Sequence, residues 1–344
     1  RPPRSTLFPY TTLFRSRNRM AQYRRFQKRV NKRKRKRRLF TFFLLPILIL
    51  GLSATAYGSY LFVKAKTVAS DSYEGLGDRD NSPMRDRKID PKKDDISILF
   101  MGVDDSETRK FGKSARTDAL ILATFNETNK TVKLVSIPRD SRVYIPEVNK
   151  KDKITHAHAY GGPKATVETV EQLFNVPVDY YVKVNFKAFT DIVDSLGGID
   201  FDVPYAMSEK DSKDRHNAIV LKPGNQHLNG EEALAVARTR KQDNDIERGK
   251  RQQQLIEAMI KKAASIGSLN KYGNLIEAVG DNMKTNLMFG EMLSFYDYAS
   301  KKVDIETINL DGSDEKINGV YYFKLDNDSV EKVSEKLRKH LGIE

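Results

Sequence analysis

Two groups of residues have the types and spacing to do chemistry. The first spans three short motifs, Gly102-Val103-Asp104, Arg116-Thr117-Asp118 and Ile137-Pro138-Arg139-Asp140. Asp104 follows an apolar run, 96–103, of the kind found in buried strands. It therefore belongs at that strand's carboxyl end, where open α/β sheets place ligands. Asp118 opens the next apolar run. If the two strands are antiparallel neighbours, the start of the second lies beside the end of the first and the two carboxylates meet. Two carboxylates with phosphate oxygens suit Mg²⁺, which prefers such mixed coordination to an all-protein cage. Arg139 ends a third strand near the same edge. Each of these residues alone reads better as a strand-end charge in an ion pair, and their convergence on one edge is what points to a site.

The second group is Arg238-Thr239-Arg240, followed by Asp243, Asp245, Arg248, Arg251, Gln252 and Gln253. Downstream, Leu255, Ile256, Met259, Ile260 and Ala263 form a helical stripe. Counting back from Leu255 by three reaches Gln252, and by four more Arg248, so both extend the buried face. A buried arginine needs an anionic partner. Asp243 and Asp245 suit the helix start as caps and are too few for four arginines. Converging guanidinium groups suit a phosphate or pyrophosphate, which they bind bidentately. The rival reading is a solvated Arg-rich face, which fits Arg251 better than Arg248 or Gln252. His156-Ala157-His158 alternates like two metal ligands on one strand face, but lacks a third ligand. There is no G-x-S-x-G, H-E-x-x-H or P-loop motif. With no cysteine, thiol nucleophiles, disulfides and Cys-ligated metals are excluded.

Bringing these residues together requires a sheet flanked by helices. Runs at 96–103, 119–125 and 132–137 read as strands, the last two joined by a hairpin turn at 126–130. Residues 164–174 read as a helix opened by Pro163. Then come a strand at 180–184, a helix at 186–196 ended by Gly197-Gly198, and a strand at 199–203. Further helices are expected at 231–237, 246–265, 269–279, 289–299 and 329–341, and strands at 303–310 and 320–325. This alternation predicts an α/β fold, a layered α/β/α domain with a central mixed sheet over residues 95–344.

The 344 residues carry a formal charge of +14. Residues 1–38 hold 16 Lys/Arg and no acid, whereas 95–344 hold 36 bases and 39 acids. A nucleic-acid-binding domain needs its excess charge on the folded part, so none is expected here. Residues 4–16 have no helical or strand period, resemble translated sequencing-adapter sequence, and are left out of the fold reading, with Met20 read as the natural start. Residues 39–63 carry no charge and, at about 1.5 Å per residue, span a hydrocarbon core of about 30 Å. Behind the basic flank they predict one transmembrane helix with the amino terminus, 1–38, in the cytoplasm. A cleaved signal peptide is the rival, since Ala54-Thr55-Ala56 has small-residue spacing, but the apolar run continues past it. Residues 64–94, with 15 charges of both signs, read as a solvated extracellular stalk.

The motifs G-x-D, R-T-D, S-I-P-R-D and R-x-R…D-x-x-R-x-x-R-Q, in this order, together with residues 153–162 and the basic anchor, resemble the LytR-CpsA-Psr family. The resemblance covers residues 95 to about 265. It implies a Gram-positive envelope enzyme at the cell membrane with an extracellular catalytic domain. Such enzymes transfer an anionic glycopolymer, of wall teichoic acid or capsule type, from a polyprenyl-pyrophosphate carrier to peptidoglycan. By the family's pattern Asp104 and Asp118 hold Mg²⁺. Arg116, Arg139, Arg238, Arg240, Arg248 and Gln252 bind the pyrophosphate, joined here by Arg251 of the same cluster. An apolar pocket under the sheet takes the isoprenoid tail. Asp104-Asp105-Ser106 departs from the charged or Arg-containing continuation often found after G-x-D. The chemistry implied is phosphoryl transfer by positioning and charge neutralisation, with Arg139, Asp118 and Asp140 as catalytic residues and no sequence basis for choosing between the two carboxylates as base. A polyprenyl-pyrophosphate hydrolase and a non-catalytic polyprenyl-phosphate-binding envelope regulator are the alternatives.

Overall fold

The computed structural model describes residues 20, 22–29, 32, 36, 40–103, 116–213, 215–239, 245–264, 280, 282–295, 298 and 303–343. The chain divides into two units, Arg1–Phe62 and Val63–Glu344. In the first, a π-helical turn, Phe40–Leu44, leads into helix α1 (Leu45–Asp71). The helical stretch Phe40–Asp71 is long and apolar enough to cross a membrane, by length and composition. It outruns the uncharged segment by eight residues.

The second unit contains strands β1 (Ile96–Val103), β2 (Thr117–Asn126), β3 (Thr131–Ser136), β4 (Arg142–Ile145), β5 (Lys150–Lys153), β6 (Tyr180–Asn185), β7 (Ile199–Val203), β8 (Met207–Glu209), β9 (Ile219–Leu221), β10 (Gly224–Leu228), β11 (Met283–Thr285), β12 (Asp304–Ile308), β13 (Gly312–Ile317) and β14 (Val320–Leu325). Its helices are α2 (Thr155–Phe174), α3 (Phe186–Ser195), α4 (Gly230–Arg238), α5 (Asp245–Ala264), the short α6 (Phe289–Met292) and α7 (Asn327–His340). Six strands form the central sheet in the order β11-β6-β1-β2-β3-β12. The sheet is mixed: β1 runs antiparallel to β2 and parallel to β6, and β12 runs parallel to β3.

One sheet face, with Leu99, Met101, Leu120, Leu122 and Val135, packs under Val167, Val170 and Phe174 of α2 and Val333 and Leu337 of α7. The other face carries α3 and α5, with α4 between them. A sheet covered on both sides explains why β1 is apolar almost throughout. The α/β/α layering is the one the sequence predicts.

Three expectations change. Residues 64–94 are not a solvated stalk. Ser72, Leu76 and Ser82 are buried, Tyr73 bridges Thr285, and two arginines reach into the domain. Arg79 forms a two-pronged ion pair with Glu171 (2.8 and 2.5 Å), which also accepts from Ser82 Oγ and the Val178 amide. Arg85 likewise grips Asp179 (2.9 and 2.7 Å), itself bonded to the Ser97 amide. Mixed charge reads as solvated until its partners, some 90 residues away, are known.

Second, His156 and His158 lie in the first turns of α2, not on a strand, so they point about 200° apart rather than to one face. This removes the alternation that suggested a metal pair. α2 begins well before residue 164 and breaks at Gly161 and Gly162, the latter at φ +66°, before Pro163 restarts it. Third, β4, β5, β8, β9, β10, β11 and β13 went unread: the first four and β11 have only three or four residues, and β10 and β13 carry a single apolar side chain each. The helix expected at 269–279 lies outside the described residues. Of 289–299 the described residues form α6 and a 3₁₀ turn, Leu293–Phe295.

The network at Glu171 gives the strap a measurable role. Glu171→Ala leaves Arg79 buried without its counter-ion and should cost about 3–5 kcal/mol in urea unfolding; an unchanged midpoint would mean that the strap does not hold the fold. His340, buried at the end of α7 between the hydroxyls of Thr124 and Thr131 (2.8 Å each), has its pKa pushed down first by burial and then by Lys133. The folded state then binds fewer protons than the unfolded chain just below the ordinary histidine value of about 6.5. Stability should be full above that pH and fall as pH drops through it, and His340→Gln should flatten that slope in denaturation series between about pH 7.5 and about pH 5.5.

Candidate active site at the end of the central strands

The site begins with an irregularity in the β1–β2 ladder. Gly102 pairs with Ala119, but Val103 pairs with Thr117, leaving Asp118 as the extra residue of a bulge. Strict alternation would put Asp118 on the α2 face with Leu120 and Leu122. The bulge turns it to the opposite face beside Ala119, the re-aiming that bulges perform next to functional sites. The start of β2 thus lies beside the end of β1, as the antiparallel reading required. Asp104 itself lies outside the described residues.

Arg139 follows β3 by way of Ile137, whose amide continues the ladder to the Leu120 carbonyl (2.9 Å). Its guanidinium forms an ion pair with the Asp118 carboxylate. Its carbonyl accepts from the Thr155 amide (3.1 Å), and the Thr155 hydroxyl donates to the Thr117 carbonyl (2.6 Å). The first residue of α2 therefore ties both strand ends together.

Helix α5 approaches β3 closely because residue 249 is glycine. A Cβ there would lie 2.5 Å from Ser136 Oγ. Arg248 is buried beside it, and Gln252 sits one turn further along the same stripe. The Gln252 amide donates to the Ala237 carbonyl (3.1 Å) and Gln253 to the Leu134 carbonyl (3.1 Å), latching α5 to α4 and to β3. Arg238, in the last turn of α4, stacks over Phe186 with its guanidinium carbon 4.7 Å from the ring centroid.

These residues surround one end of a cavity of about 450 Å³ between the sheet and α3, α4 and α5. Phe100, Ala119, Ile121, Val182 and Val184 form its floor, and Phe189, Ile192, Leu255 and Met259 its roof. Asp118, Arg139, Arg238, Arg248 and Gln252 line it as well. Two groups separated by about a hundred residues in sequence thus line one cavity.

Other predicted site residues fall elsewhere. Arg251 is buried, but its guanidinium donates to the Val236 (3.1 Å) and Thr239 (2.8 Å) carbonyls. Three residues on from Arg248, it faces the end of α4, where helix carbonyls lack intrahelical partners. It braces that helix terminus and does not line the cavity. Asp140 is also displaced: it does not line the cavity, and its buried carboxylate meets Lys153 Nζ (2.8 Å) and Arg139 Nε (3.5 Å). It is the counter-ion of Lys153 and lies beside Arg139. Arg116 is exposed and does not line the cavity. Arg240 and Asp243 lie outside the described residues. Gly249 and Phe186 were missed; a glycine inside an otherwise strong helical stripe was the available signal.

An apolar cavity with arginines in its lining suits an amphiphile with an anionic head and an apolar tail. Among the described residues no three His, Asp or Glu gather to hold a metal. Asp118 nevertheless fits Mg²⁺, which needs only one or two carboxylates when phosphate oxygens complete its shell.

Residues 59–339 match the LytR_cpsA_psr family. The chain belongs to that family. Among LytR_cpsA_psr relatives, the polyisoprenyl-teichoic acid–peptidoglycan teichoic acid transferase TagT of Bacillus subtilis (strain 168) is 38% identical over 326 residues, covering 92% of this chain and 100% of its own. The structure of TagT bound to LIIa-WTA superposes with a TM-score of 0.68 at 40% identity, over 78% of this chain and 99% of that one. That of the family protein YwtF (TagT) with bound octaprenyl pyrophosphate lipid gives 0.64 at 38% identity, with 78% and 99% covered.

The close approach at residue 249 yields a prediction. Gly249→Ala should lower stability by about 1–3 kcal/mol in denaturant unfolding, although alanine is the better helix former, because its methyl collides with Ser136. Adding Ser136→Ala should recover part of the loss, and no recovery would place the strain elsewhere.

Proposed function

We propose that this chain transfers an anionic glycopolymer from a polyprenyl-pyrophosphate carrier to peptidoglycan. One observation carries the reading: a single cavity joins an apolar chamber to the arginines Arg139, Arg238 and Arg248. The chamber takes the isoprenoid tail and the arginines take the pyrophosphate. Relatives named as polyisoprenyl-teichoic acid–peptidoglycan transferases, and a related structure with octaprenyl pyrophosphate bound, support the same assignment.

In the reaction a sugar hydroxyl of peptidoglycan attacks the polymer-bearing phosphorus, and the prenyl phosphate leaves. Arg139, Arg238 and Arg248 hold the pyrophosphate by forked hydrogen bonds and stabilise the charge that grows on the departing phosphate. Asp118 fixes the plane of the Arg139 guanidinium, and the Asp140–Lys153 pair supports it from behind. Asp118, with Asp104, would hold Mg²⁺, which would supply charge neutralisation at the phosphates. The apolar walls keep water from the tail and from the reacting phosphates. By the basic segment before the apolar helix, the amino terminus is cytoplasmic and residues 64–344 lie outside, where peptidoglycan lies.

The test uses the full chain in detergent with a polyprenyl-pyrophosphate-linked glycopolymer and peptidoglycan. A glycopolymer–peptidoglycan adduct is expected, lost on chelation and restored by Mg²⁺. Arg139→Ala and Arg238→Ala should each lower kcat by roughly 10²–10³-fold. Free phosphorylated polymer formed at the same rate with or without acceptor would make the protein a hydrolase. Full activity in both variants would remove the site.

A further inference from the structure

Arg139 and Asp118 form an ion pair, yet the ladder between their strands stops short of both. The β2–β3 register runs from the Asn126–Thr131 pair to Ile121–Ser136, and the Ile137 amide adds one bond, to the Leu120 carbonyl. Past that point Pro138 has no amide to donate. On the other strand, the bulge at Asp118 breaks the alternation. Two chain ends that carry the site's opposite charges therefore need a further link.

Residues 153–155 supply it. Lys153 is the last residue of β5 and pairs with Arg142. The chain then stays alongside residues 139–141. The Ile154 amide donates to the Ser141 carbonyl (2.9 Å), and the Thr155 amide to the Arg139 carbonyl (3.1 Å). Thr155 opens α2, where an amide has no partner within its own helix and can donate outside it. Its hydroxyl donates to the Thr117 carbonyl (2.6 Å), one residue before Asp118. A single residue thus holds the main chain at Arg139 with its amide and the start of β2 with its side chain. Thr155 is 4% exposed, and Thr117, Ser141 and Ile154 are fully buried, so water competes little for these bonds.

We infer that Thr155 is a positioning residue, setting Arg139 against Asp118 through the two main chains that it joins. The inference rests on the transferase reading. It also accounts for the residue type. Valine has nearly the same shape and keeps the amide bond, but it has no hydroxyl, so β2 loses its tether. Serine keeps both bonds. A guanidinium displaced by a fraction of an ångström still attracts a pyrophosphate but meets the departing phosphate with poorer forked geometry. Loss of the tether therefore lowers the rate more than the affinity.

The experiment uses the full chain carrying Thr155→Val, Thr155→Ser, Arg139→Ala, and Thr155→Val combined with Arg139→Ala. Thr155→Val should lower kcat by roughly 10–100-fold, the scale of a misplaced catalytic group. It should weaken octaprenyl pyrophosphate binding only about two- to fivefold, as for one lost hydrogen bond. Thr155→Ser should restore most of kcat. In the Arg139→Ala background, Thr155→Val should weaken binding no further, because the residue through which it acts is gone. An unchanged kcat in Thr155→Val overturns the inference, and so does equal loss in the valine and serine variants. A variant that merely unfolds the start of α2 weakens binding in the Arg139→Ala background as well, and that additive outcome also overturns it. If the wild type forms no adduct, the transferase reading fails by itself, while the binding cycle still decides the role of Thr155.

Discussion

A cavity of about 450 Å³ between a sheet and its helices cannot be kept by packing alone, since interiors otherwise close to crystal-like density. Here directional bonds act as struts. Gln253 joins α5 to β3, Gln252 and Arg251 join α5 to the free carbonyls of α4, and Asn185 caps α3 through the Ala188 amide. The opposite face of the sheet needs no such device, and Leu99, Leu122, Val135 and Tyr181 are fully buried there.

The same struts place the charges. Arginine at the edge of an apolar chamber sits where the effective dielectric is low and its attraction for phosphate is strong. Arg139, Arg238 and Arg248 come from three elements with no common backbone, so their convergence depends on the Gly249–Ser136 approach, the Phe186 stack and the β2 bulge together. Affinity for a lipid-linked pyrophosphate is thus a property of the layer spacing as much as of the arginines.

Much of this was legible in the sequence. Long periodic or wholly apolar segments, such as 96–103 and 246–265, declared their strands and helices, and the stripe through Leu255 led back to Gln252 and Arg248. Legibility failed where the cause is non-local. Arg251 lies one helical step from Arg248, and only the position of α4 decides that it serves helix carbonyls instead of a ligand. Asp140 carries the same charge as Asp118, and its pairing with Lys153 is invisible until β5 folds back against β4. The bulge that re-aims Asp118 leaves no compositional trace beyond Gly102.

The segment between the apolar helix and β1 read as a solvated stalk. Arg79 and Arg85 instead supply the positive halves of two buried ion pairs. A fragment cut at residue 95 would strand the carboxylates of Glu171 and Asp179 in the interior without counter-ions. It would also remove Ser72, whose carbonyl accepts from the Thr285 amide at the β11 edge (3.0 Å). The smallest piece of this protein able to fold by itself therefore starts before Ser72, just where the chain emerges from its long apolar helix.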